Sequence, residues 1–254
     1  MSWYLAAPLV LPFLTAVAAF LTRHSSLGRW LSILGNIVFL IAAVALLLQV
    51  LDLGIIAGQM GGWAAPFGIT LVADYLSAVM VVITAITALA VAVYALKDIN
   101  PRKEYLGYHA LFNILIGGVT GAFVTGDLFN LYVWFEVMLI SSFGLLVLGG
   151  KREQIDGGVK YVTLNLISTI LFLSGVGLLY GITGTLNMAD LARTLPEVEN
   201  QGIVAVIAMM FMVAFGVKAA VFPLFFWLPA SYHTPAFSVS AVFAGLLTKV
   251  GSMP

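Results

Sequence analysis

Cysteine is absent from the 254 residues, and charge is scarce: lysine, arginine, aspartate and glutamate make up 9% of the chain against 62% hydrophobic residues. Without thiols there is no disulfide, thiolate metal site or iron–sulfur cluster, so any redox chemistry would fall to partners. A formal charge of zero leaves no basic face for nucleic acid, which is not expected as a partner. Soluble domains carry roughly a quarter of their residues as charges. A mean hydropathy of +1.09 excludes that class and indicates a polytopic, all-α membrane protein in the lipid bilayer. No Walker loop, HExxH or Ser-His-Asp arrangement occurs, so neither an enzyme active site nor a cofactor or metal is expected. The opening MSWYLAAPLVLPFLTAVAAFLTRH lacks a basic residue before its apolar run and a small-residue cleavage site before Arg23, and reads as a first membrane helix that stays in the mature protein.

Apolar runs of membrane length recur near 2–22, 30–51, 71–96, 107–125, 127–148, 160–181, 202–228 and 235–254, which predicts eight helices. The connecting links are short, apart from the Gly-rich 52–70, with Trp63 and Pro66, and 182–201, with Asp190, Arg193, Glu197 and Glu199. Loop cations give the orientation, because cytoplasmic loops carry the excess of lysine and arginine. Arg23 and Arg29 fall in the first link, Lys97, Arg102 and Lys103 in the third, and Lys151, Arg152 and Lys160 in the fifth; the even links hold only Arg193. The N-terminus is therefore expected outside and the link around Ser231 and His233 inside.

Three ionisable residues fall inside apolar runs: Glu136 in the fifth, Lys218 in the seventh and Lys249 in the eighth. A charge at the bilayer centre costs about 2.5–3.5 kcal/mol on insertion scales, so such a residue points to function. Glu136 follows Asp127 by nine residues, roughly 14 Å into a core about 30 Å thick, and counting back from Pro229 sets Lys218 roughly 16 Å deep. The two are expected to meet. Opposite charges within about 4–6 Å hold each other ionised, and separation favours the neutral forms, so the pair would form a switchable proton site. The plainer alternative is a static ion pair that fixes helix packing. Pro223 lacks an N–H for the carbonyl of Ala219 and is expected to break the seventh helix beside Lys218.

Lys249 has no evident carboxylate of its own; it acts at depth or else snorkels to the interface. It lies roughly 18–22 Å along the eighth helix, about one turn short of a typical span, so the chain reads as a truncated one. His233 could relay protons or could bond a helix end. His24 and His109, at helix ends beside basic links, are expected in the interface. Asp74 and Asp127 read as helix N-terminal acids, with admission of ions as the alternative. SGVGLLYGITG, residues 174–184, reads as a packing face through Gly177 and Gly181, and the aromatics at 225–227 as an interfacial belt.

TGDLFNLYVWFEVMLISSFGLLVLG followed by GVKAAVFPLFFWLPASYHTPAFSVSAVFAGLLTKVG resembles the proton-translocating subunits shared by respiratory complex I, membrane-bound hydrogenases and Mrp-type cation/proton antiporters. The wording GDLFNLYVWFE looks most like the D subunits of Mrp-type Na+/H+ antiporters. The resemblance implies that Glu136 and Lys218 are a coupled pair, that Lys249 is the proton-carrying site linked to them, and that His233 serves proton uptake from the cytoplasm. It implies that residues 1–106 hold helices one to three and residues 107–254 hold the first of two inverted repeats, helices four to eight, with the second repeat missing. It further implies a multi-pass subunit of the cell inner membrane that moves protons against Na+ alongside other membrane subunits of a hetero-oligomeric antiporter. The alternative is a proton-pumping subunit, without redox centres of its own, of an NADH–quinone oxidoreductase or membrane-bound hydrogenase.

Overall fold

The structure, a computed structural model, describes residues 3–65 and 67–252; Pro66 and the last two residues of the eighth apolar run lie outside them. Every apolar run is mainly helical. In chain order the elements are α1 (Trp3–Leu21), α2 (Leu27–Leu53), strands β1 (Ile56–Gln59) and β2 (Thr70–Ala73), α3 (Tyr75–Asp98), the short α4 (Pro101–Tyr105), α5 (Tyr108–Phe123), α6 (Leu128–Val147), α7 (Arg152–Thr183), the short α8 (Met188–Thr194), α9 (Gln201–Ala219), α10 (Trp227–Tyr232), α11 (Phe237–Val242) and α12 (Thr248–Val250). A π-helical turn, Phe243–Leu247, joins the last two. Six helices, α1, α2, α3, α6, α7 and α9, are long and apolar enough to cross a membrane, while α5 and the segment Phe237–Val250 are shorter apolar helices.

α5 is the centre of the bundle. Its sequence is rich in glycine at one end, GGVTGAF, and small residues let neighbouring backbones approach. A Cβ at Gly118 would stand 2.9 Å from Met138 of α6, and one at Gly121 would stand 2.4 Å from the Trp134 ring. Helices α1, α2, α3 and α6 pack around it.

The odd links gather on one face and the even links on the other, as expected for short connections between successive spans. On the basic face Arg29 pairs with Glu104 at 2.9 Å, joining the first link to the third. The Ser238 N–H donates to Asp98 Oδ2 at 2.8 Å, and Gln154 Nε2 donates to the Thr234 carbonyl at 3.1 Å, drawing in the fifth link and the one before α11. On the opposite face a small antiparallel hairpin, β1 and β2 in register from Ile56↔Ala73 to Gln59↔Thr70, is built from the Gly-rich link 52–70 and the start of the third apolar run. The third apolar run accordingly opens as strand, and its helix starts only at Tyr75, capped by the Asp74 carboxylate on the Ser77 N–H at 2.8 Å. β2 is stitched onward by Val72 N to Val124 O, 2.7 Å, and by Gly126 N to Thr70 O, 2.8 Å; Met188 N then bonds Gly126 O at 2.9 Å. Backbone bonds thus tie three even links into one plate.

A buried polar chain runs inward from the basic face, and the sequence reading missed it. Glu104 accepts from Arg29 and lies 3.5 Å from His109 Nε2. Asn113 Nδ2 donates to the His109 carbonyl at 2.7 Å and to Ser32 Oγ at 2.9 Å. Asn36 Nδ2 donates to the Ser32 carbonyl at 2.7 Å and to Asn113 Oδ1 at 3.0 Å. His109 is therefore buried beside Glu104, not in the interface, whereas His24 is exposed against Tyr105.

Candidate functional site

Glu136, Thr169 and Lys218 meet at the junction of α6, α7 and α9. Thr169 Oγ1 donates to Glu136 Oε1 at 2.8 Å and lies 3.5 Å from Lys218 Nζ, which donates to it. No direct ion pair forms between the two charges within 4 Å. The two legs nevertheless hold them within about 6 Å, the range in which opposite charges support each other's ionised forms. Lys218 is buried, with its ammonium 4.5 Å above the Phe135 ring. Such a cation–π contact is worth about 2 kcal/mol or more when desolvated and partly replaces the water that the lysine has lost. Thr169 went unnoticed in the sequence because a hydroxyl in an apolar helix bonds its own backbone at little cost, and nothing in the pattern shows which one faces a charge.

The helix stops one residue beyond Lys218, and Pro223 is not what stops it. α9 ends at Ala219, Ala220 adopts the left-handed conformation (φ 56°, ψ 43°), and the N–H groups of Val221 and Ala220 return to the carbonyls of Gly216 and Val217 at 2.9 and 3.1 Å. This is a Schellman ending, usually made by glycine; an L-residue there costs roughly 1–2 kcal/mol. Pro223 sits in the turn that follows. Trp227, expected in an interfacial belt, is instead fully buried: its indole N–H donates to the Val217 carbonyl at 2.8 Å, a group in the broken helix end, and its ring packs on Tyr161. Phe226 of that cluster stays widely exposed at 66%, as does Phe222, which stacks on Phe225.

A cavity of about 20 Å³ adjoins Lys218, lined by Tyr161, Asn165, Trp227, Leu247 and Gly251 among others. That is room for about one water molecule with polar partners at hand. Gly251 matters here because a Cβ on it would stand 2.6 Å from the Ala219 nitrogen and 2.8 Å from the Lys218 carbonyl carbon. Only glycine lets the end of the eighth segment rest on the broken end of α9.

The structure does not bring Lys249 or His233 into this cluster. Lys249 is exposed, and its ammonium donates to the Ala244 carbonyl, within the π-helical turn, at 2.9 Å. His233 is exposed on the basic face and its Nδ1 lies 2.7 Å from the Pro229 carbonyl, so it bonds the end of α10. Asp74 and Asp127 are the N-caps of α3 and α6. Gly177 and Gly181 are exposed with open space around them; Gly175 is the glycine that packs, its Cβ position lying 2.6 Å from the Phe211 ring.

Residues 125–254 match the family described as NADH:quinone oxidoreductase/Mrp antiporter, TM. The Na(+)/H(+) antiporter D subunit of Bacillus subtilis is 41% identical over 252 residues, covering 99% of this chain and 51% of that protein. The probable K(+)/H(+) antiporter D subunit of Rhizobium meliloti is 42% identical over 258 residues, covering 97% and 47%. The chain therefore spans about half the length of the curated relatives it matches. Among solved structures, an archaeal membrane-bound sulfane sulfur reductase superposes with a TM-score of 0.93 at 30% identity, covering 98% of this chain and 52% of the other. The Mrp complex from Dietzia sp. superposes at 0.84 and 33% identity, covering 98% and 46%.

Proposed function

Because the chain belongs to the NADH:quinone oxidoreductase/Mrp antiporter transmembrane family, we propose that it forms part of a proton-translocating subunit of a multisubunit antiporter in the cell inner membrane. Protons move inward against exported Na+, with Glu136, Thr169 and Lys218 as the switchable site. The observation that carries this is the Thr169 hydroxyl standing between the carboxylate and the ammonium, donating to one and accepting from the other. A proton leaving Lys218 passes to the hydroxyl as the hydroxyl proton passes to Glu136, so both charges vanish together without either side chain crossing the gap. Restoring the carboxylate draws the proton back.

Lys249, whose ammonium bonds the Ala244 carbonyl outside the cavity beside Lys218, is the next proton carrier. His233, with one ring nitrogen committed to Pro229 and the other open to solvent, serves uptake at the basic face. That face is cytoplasmic and the N-terminus outside, by the excess of lysine and arginine in the odd links. Residues 107–254 act as the first of two inverted repeats, with other membrane subunits as partners.

The test is Glu136→Ala and Lys218→Ala in everted vesicles carrying the assembled complex. Each abolishes Na+-dependent proton movement while the protein remains inserted; normal pH changes in either variant contradict the assignment. The 0.93 superposition on the sulfane sulfur reductase favours a second reading, in which electron transfer in partner subunits drives the same residues. Genes for flavin or iron–sulfur subunits beside this one, and proton movement that ignores Na+, select it.

A further inference from the structure

An apolar groove of about 400 Å³ lies between α1 and α5, and no residue of the charged cluster lines it. Its floor is Ala16 and Ala110, its deep end Phe13 and Ile114, and its mouth Leu21 and Leu106, at the basic face. From Phe13 to Leu21 the groove follows α1 for roughly 12 Å. Val17, Phe20, Leu21 and Leu106 along it are 47–73% exposed, so its wall faces the hydrocarbon.

Arg23 stands over the mouth. Its guanidinium lies 4.1 Å above the Phe20 ring and 5.9 Å from that of Tyr105. Among the described residues no carboxylate lies within 4 Å of it, whereas Arg29, the other arginine of the same link, is neutralised by Glu104. A slot that accepts hydrocarbon and ends at a cation in search of an anion has the shape and polarity of one amphiphile. We propose that the groove holds an acyl chain of an anionic glycerophospholipid from the leaflet at the basic face, with its phosphate on Arg23.

One basic residue near an anionic headgroup is worth about a fivefold preference. Native mass spectrometry of the detergent-solubilised protein, titrated with phosphatidylglycerol or phosphatidylcholine, is expected to retain the former about fivefold better. Arg23→Gln should bring phosphatidylglycerol down to the phosphatidylcholine level. Val17→Trp, which fills the groove from an exposed position, should weaken both lipids, and the melting temperature in detergent verifies that each variant is folded. Equal retention of the two lipids by the unmodified chain, a preference that survives Arg23→Gln, or undiminished binding to Val17→Trp overturns the assignment. A photo-crosslinker at position 17, activated in native membranes, should attach to lipid; attachment to polypeptide shows a protein helix in the groove and also overturns it.

Discussion

Thr169→Val removes the hydroxyl between Glu136 and Lys218 while keeping the shape of the side chain. The threonine is 6% exposed, so no water of its own takes the place of the lost group. A hydrogen bond to a charged acceptor is worth roughly 1.5–3 kcal/mol. Side-chain bonds between membrane helices average about 0.6 kcal/mol and reach about 1.7, because separated helices find other partners. The 2.8 Å contact with a carboxylate belongs in the upper part of that second range, at about 1.4 kcal/mol, so the coupled arrangement should become about tenfold less populated. Initial rates of Na+-dependent quenching of a pH-sensitive dye in everted vesicles should fall about tenfold, with normal amounts of inserted protein. Thr169→Ser, which keeps the oxygen and loses a methyl, should remain within about twofold of the unmodified rate, since the bridge survives. If valine sustains the full rate the hydroxyl is no part of the path, and if serine is as slow as valine the methyl contact matters instead.

Ala220→Gly should stabilise the protein by about 1 kcal/mol, because glycine adopts the left-handed conformation without the Cβ penalty; thermal unfolding in detergent measures it. Trp227→Phe removes the indole bond to the Val217 carbonyl, which keeps the Ala220 N–H as a donor, and should cost about 0.5–1.5 kcal/mol in the same assay. For Asp74, the backbone N–H of Ser77 holds the carboxyl below its ordinary value. Its contribution is therefore present above the ordinary carboxylate range and is lost as the pH falls through the lowered value. Asp74→Ala should cost about 0.5–2 kcal/mol at neutral pH, a deficit that shrinks in acid when melting is followed against pH. A double-mutant cycle on Asn36→Ala and Asn113→Ala should return a coupling of about 0.6 kcal/mol.

Hydropathy made the apolar helices legible because each run must satisfy its backbone inside a helix; six of them are long enough to cross a membrane and two are shorter. Counting from Asp127 runs along one continuous helix to Glu136, whereas the count from Pro229 to Lys218 crosses the non-helical 220–226, where helical rise does not apply. What escaped depended on neighbours. Ala220 carries no glycine or asparagine signal for its left-handed turn, so the break was credited to Pro223. Trp227 became buried because the broken helix offers its indole a carbonyl, a partner that exists only after the chain has folded. Gly175 packs and Gly177 does not, since the face of α7 that meets α9 is fixed by register and not by composition. The hairpin escaped because its four-residue strands do not alternate: Thr70, Leu71 and Ala73 of β2 are all buried.

The paired asparagines bear on how α2 and α5 keep their rotation against each other. Asn36 and Asn113 each give one amide proton to the carbonyl four residues back, on Ser32 and His109, and keep the second for the other helix. The local bond satisfies one amide proton of each asparagine within its own helix, so only the second has to find its partner across the helix pair. Asn36 Nδ2 donates to Asn113 Oδ1 and Asn113 Nδ2 to Ser32 Oγ, so Ser32 and Asn36, one turn apart on α2, and Asn113 on α5 hold the two helices in one rotational setting.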